Sequence, residues 1–154
     1  MSHNAKFFIR IMAPSGSRMA EALTVTEKKI DKYDFFSPSI IIGDRECRLV
    51  SFAKLISATD LVEKYKKCQK VFSRLTSDNI SVLPGYIKAE HVVTIGSASD
   101  LYAIQIDDHH FAKLQLVYQK SGFSVQPGSE PEFLHLLTLS FFSGLRRSLI
   151  NGIY

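Results

Sequence analysis

In Lys6-Phe7-Phe8-Ile9-Arg10-Ile11-Met12 the apolar Phe7, Phe8, Ile9, Ile11 and Met12 surround Arg10, and Pro14-Ser15-Gly16-Ser17 follows. A short apolar run closed by turn residues reads as a buried strand. Ser17 is placed to cap a helix running to about Ile30, with Met19, Leu23, Thr26 and Ile30 on one face. The rest of the chain is read outward from this strand, turn and helix.

Phe35 to Ile42 reads as a second strand, in which Pro38 marks an edge or a bulge. Cys47 to Ile56 reads as a third. Ser57 or Thr59 caps the clearest helix, where Leu61, Tyr65, Cys68, Phe72 and Leu75 recur at spacings of three and four. Ile80 to Leu83 is extended, Pro84-Gly85 reads as a turn, and Val92, Val93 and Ile95 mark another strand. Tyr102, Ile104 and Ile106 alternate, as do Ala112, Leu114, Leu116 and Tyr118. Asp107-Asp108-His109-His110 connects them. Phe123 to Val125 adds a strand, and a final helix runs from about Pro131 to Ser148. The order strand–helix–strand–strand–helix–strand matches a ferredoxin-like split β-α-β core. The later strands extend its antiparallel sheet, with the helices expected on one face. The fold class is α+β.

Several stretches resemble a bacterial domain-of-unknown-function family, number 4416. Leu49-Val50-Ser51-Phe52-Ala53-Lys54-Leu55-Ile56 is similar to that family's V-S-F-x-(K/R)-L-I strand. Leu83-Pro84-Gly85-Tyr86-Ile87 is similar to its D-P-G-Y-L turn, and Val92 to Ser97 to its L-V-L-A-(S/T) strand. Phe111 to Tyr118 resembles its I-Y-A-E-V-T-L-x-Y strand. Order and most spacing agree from about Leu49 to Val125. The family's polar segments are largely replaced here: its His-Arg pair falls on about Tyr102-Ala103, and Glu130-Pro131-Glu132-Phe133 stands near its T-Y-P-D-Y-R segment. The resemblance implies no particular activity.

The 154 residues fit one domain, 1–154. Hydrophobic content of 45% and charged content of 22% exclude a disordered chain. The longest apolar-rich stretch falls short of the ~20 residues a membrane span needs. Met1-Ser2-His3-Asn4 lacks the basic and apolar pattern of a signal peptide. Cys47 and Cys68 are the only cysteines, so the expectation is two reduced thiols in a cytoplasmic protein. Cys68 lies on an apolar stripe; Cys47 has Arg45 and Arg48 close by, which could lower its pKa.

The net charge is 19 − 15 = +4, and much of the excess sits at Lys64, Lys66, Lys67, Lys70 and Arg74, opposed only by Glu63. Lys67, Lys70 and Arg74 share a helical stripe that a phosphate backbone would reward, although such a face is usually just solvated. Ser15 and Ser17 flank the turn before the first helix, where backbone N–H groups could hold an anion; the P-loop pattern is absent. Asp107 to His110 is expected to be a solvated hairpin tip rather than a metal site. His91 and His135 read as single surface histidines.

From Phe133 to Phe142, seven of ten residues are apolar, among them Phe133, Leu137, Phe141 and Phe142. A helix apolar on most sides is deeply buried or pairs with another molecule. The favoured expectation is a binding module without catalytic residues or cofactor. It meets a protein partner or a second copy through this helix, with the basic helix as a lesser nucleic-acid surface. The alternative is an enzyme on, or binding protein for, a phosphorylated or nucleotide-like ligand, in a cleft suggested by the Ser15-Gly16-Ser17 turn and the basic helix; a deep pocket lined by Arg10, that turn and Tyr86 would favour it.

Overall fold

A computed structural model describes residues 4–14, 16–75 and 79–152. Strand β1 (Ala5–Ala13) is buried along its whole length. Successive side chains of a strand point to opposite faces. Phe7, Ile9 and Ile11 accordingly join one core, and Phe8 and Met12 a second. A strand buried on both faces belongs in the middle of a covered sheet. β1 pairs antiparallel with β4 (Arg45–Ile56) on one side and β5 (Ser81–Ile87) on the other.

Outward from this centre run β2 (Tyr33–Phe36), β6 (His91–Gly96), β7 (Ala103–Gln105) and β8 (Phe111–Gln119), in the order β2-β4-β1-β5-β6-β8-β7. Every ladder is antiparallel. Each edge is made of two short strands end to end. β2 and β3 (Ile40–Ile42) lie along β4, and β7 and β9 (Gly122–Val125) along β8. Short edge strands limit pairing with foreign chains.

Helix α1 (Gly16–Lys29) joins β1 to β2, and helix α2 (Leu61–Phe72) joins β4 to β5. Met19 and Ala22 of α1 and Leu61, Tyr65, Cys68 and Phe72 of α2 pack on the Phe7/Ile9/Ile11 face. Ser57 begins the second connection with a reciprocal cap: its Oγ accepts from the Thr59 N–H, and its own N–H donates to Asp60.

The expectation of helices on one face is corrected. Helix α3 (Leu136–Asn151) and the 3₁₀ turn Pro131–Leu134 cover the opposite face, with Phe133, Phe142 and Leu145 against Phe8, Leu49, Ile87, Val92 and Leu116. Each of these apolar side chains gains about 1.5–3 kcal/mol from burial, so the second face could not be left to water. The architecture is α+β, with the antiparallel sheet between two helical layers.

Three local expectations also change. The second strand divides into β2 and β3 around Ser37-Pro38-Ser39, where Pro38 has no N–H to donate. The final helix breaks at His135, which is extended and caps α3 by accepting the Leu137 N–H on Nδ1 at 3.1 Å. Pro84-Gly85 is no turn but the middle of β5. A Cβ on Gly85 would fall on the Val93 carbonyl and the Phe8 ring, so glycine lets these three pack together.

Candidate functional site: a cleft between two strands

β5 and β6 pair at Ile87↔Val92, Tyr86↔Val93 and Gly85↔Thr94, and no further. The next residue of β5 is Pro84, which cannot donate to a ladder. Beyond it β5 follows β1 to Ser81, while β6 follows β8 to Gly96. Strands held by different neighbours diverge, and a cleft of about 240 Å³ opens between them. Val82, Leu83 and Ile95 give it apolar walls; Ser81, Thr94 and Gln115 line it with polar groups.

Arg10 reaches this cleft from β1 and is 7% exposed. Its Nη2 donates to Ser81 Oγ at 3.2 Å. Its Nε lies 3.2 Å from Glu132 Oε2, an ion pair, yet the angle is poor and Nε has no hydrogen-bond partner. One of the five guanidinium donors is therefore satisfied by a hydrogen bond. Burial pulls the Arg10 pKa down and Glu132 opposes that shift; a guanidinium remains charged.

Lys113 closes another side. Its ammonium donates to Asp100 at 2.5 Å, Glu130 at 2.8 Å and the Gly128 carbonyl at 3.1 Å, which uses all three hydrogens. Burial lowers its pKa, but the hydrogen bonds to Asp100 and Glu130 outweigh this and the net shift is upward. Asp100 is held low by Lys113 and then by the Tyr102 N–H. Buried Gln115 fixes the wall: Nε2 donates to Thr94 Oγ1, Oε1 accepts from the Glu130 N–H, and its carbonyl accepts from Ser129 Oγ. Lys113 is thus committed to the wall, and Arg10 is the cation with donors left for an oxyanion.

The candidates expected from sequence fall elsewhere. Ser15 lies outside the described residues. Ser17 is exposed in the first turn of α1, away from the cleft, and Tyr86 sits in the paired part of β5 against His91. The cleft therefore gathers Arg10 without that turn or Tyr86. Lys64 stands over the Phe7 ring of β1 at 5.6 Å and Lys67 donates to the Ile30 carbonyl, so two cations of the basic helix have contacts within the fold. Lys70 and Arg74 are exposed.

In the apolar segment, Phe133 and Phe142 are 0% exposed and belong to the core, which corrects their placement on a docking face. Phe141 is half-buried with its ring 5.4 Å from Phe142, and Leu137 is exposed. The Asp107–His110 connection is not wholly solvated. His110 is buried, with Nδ1 2.6 Å from Asp107 and its ring edge-on to Tyr65. Burial pushes both thiols up to about 12, so the arginines near Cys47 do not activate it. Among the described residues no helix is long and apolar enough to cross a membrane.

Sequence reasoning missed Ser81, Lys113, Gln115, Glu130 and Glu132. Two signals were present: a lone arginine inside an apolar strand, and a Pro-Gly pair flanked by strand residues. No curated protein and no solved structure matches the chain. The family model described as Domain of unknown function (DUF4416) matches residues 3–149. Since that match covers nearly the whole length, and its fold and cleft are built within it, the chain belongs to the DUF4416 family.

Proposed function

We propose that this chain is a binding protein that holds a small carboxylate- or phosphate-bearing molecule between β5 and β6. The observation that carries the reading is Arg10: buried, charged, lining the cleft, with most of its donors unspent. A guanidinium suits an oxyanion because its donors match two oxygens at once. The cleft is smaller than the ~300–1,000 Å³ typical of drug-sized ligands, which favours a compact metabolite over a whole nucleotide.

The test titrates malonate and glycerol phosphate against the full chain and follows the melting temperature. One of them should raise it saturably. The double variant Arg10→Met/Glu132→Leu removes both charges together and should fold, and its cleft signals, the Gln115 side-chain amide and the Gly96 backbone amide followed by NMR, should not respond. An unchanged response in that folded variant overturns the reading.

A second reading rests on Leu134, Leu136 and Leu137, exposed together at the start of α3, with Leu136 at 79%. They would meet a protein partner or a second copy, and light scattering on Leu136→Lys/Leu137→Lys tests the self-association. The interleaved order β2-β4-β1-β5 supports describing the first part as a ferredoxin-like core. Two buried, unpaired thiols support a reducing compartment such as the cytoplasm.

A further inference from the structure

We propose a second anion site, distinct from the cleft, that takes a phosphate dianion in the notch between the β8–β9 turn and α3. The notch holds about 150 Å³ and is lined by Tyr118, Ser121, Ser143, Arg146, Arg147 and Ile150, with no carboxylate. Ser143, Arg146 and Arg147 are spaced i, i+3 and i+4, which puts them on one side of the helix. Ser121 comes from the turn, next to Lys120.

Arg146 is held in place. Its Nε donates to the Ala89 carbonyl at 2.7 Å, and its guanidinium carbon lies 3.4 Å from the centre of the Tyr118 ring. Tyr118 is in turn braced edge-on by Phe123 at 5.3 Å. With Nε used and the plane stacked, the Nη groups are left without a hydrogen bond among the described residues. Arg147 and the Ser121 and Ser143 hydroxyls likewise have no partner there. A cation that only complements a helix C-terminus needs no such locking.

Three ion-paired cations contrast with this pair. Lys6 has Asp34, Arg10 has Glu132, and Lys113 has Asp100 and Glu130. Two guanidinium groups and two hydroxyls, all donors and uncompensated, match the oxygens of a phosphate. At about 150 Å³ the notch has room for a phosphate group. The ligand is inorganic phosphate or the phosphate end of a phosphomonoester whose remainder stays in water.

The test is NMR on the full chain. The Arg146 Nε and the Ser121 and Ser143 amides are followed while inorganic phosphate, then glycerol 3-phosphate, is added against chloride at equal ionic strength. These signals should shift saturably with phosphate and not with chloride. Tighter binding of the ester identifies a phosphomonoester; equal binding identifies the free ion. Exposed Arg147→Gln should weaken binding about tenfold, as expected for a lost charge-assisted hydrogen bond. Arg10→Met/Glu132→Leu should leave it unchanged, which separates this site from the cleft. Equal shifts with chloride, or full affinity in a folded Arg147→Gln protein, overturn the proposal.

Discussion

Arg10 shows how a residue can be conspicuous in sequence while its role depends on distant partners. One charge inside an apolar strand must be paired or must face a cavity, because an isolated buried charge is too costly. That much follows from Lys6 to Met12 alone. Its partner, Glu132, lies in the 3₁₀ turn before α3 and looks in sequence like an ordinary acidic residue at a helix start. Replacing one member of a buried pair is worse than replacing both. Glu132→Gln should therefore destabilise the protein by about 3–5 kcal/mol, read from the urea midpoint at constant slope. Arg10→Met/Glu132→Leu should cost far less. Similar losses for the two would show that the pair is not isolated from water.

At the scale of elements, helix α2 was legible because its period is short. Leu61, Tyr65, Cys68 and Phe72 recur every three or four residues, and all are buried. The β5–β6 hairpin was misread, since Pro and Gly usually punctuate chains. The strands reverse at Lys88-Ala89-Glu90, and the Lys88 N–H donates to the His91 carbonyl. His91 then lies beside Tyr86, its Nε2 3.2 Å from the hydroxyl. Burial lowers the His91 pKa, with Lys88 adding to the effect and Glu90 opposing it. The folded state thus prefers neutral imidazole. Its contribution is complete above the ordinary value of ~6.5 and is lost as pH falls from there through the depressed value. His91→Gln should flatten the decline in stability between about pH 7 and pH 5, measured by urea unfolding at each pH. Identical slopes for the two proteins would sink this account.

On the scale of the whole molecule, the sheet has two apolar faces and α3 supplies the second cover. Phe142 is its wedge, with its ring centre 4.8 Å from Phe8 and 5.9 Å from Phe133. Phe142→Ala should cost about 3–5 kcal/mol through lost burial and a cavity. Leu137→Ala, on the exposed side of the same helix, should change stability by about 0.5 kcal/mol or less. Equal losses at the two positions would mean that α3 does not cap the sheet. By itself the sequence determined the α+β class, the existence and type of most elements, the family resemblance and the oddity of Arg10. These depend on periodicity and local turn chemistry, which act over a few residues. Only the tertiary structure decided that Pro84-Gly85 ends a ladder instead of a strand, and that the aromatic half of α3 faces inward. It alone brought Glu130 and Lys113 to the cleft and Glu132 to Arg10. Those outcomes depend on which strands become neighbours, and strand order is set by long-range burial that no local pattern encodes.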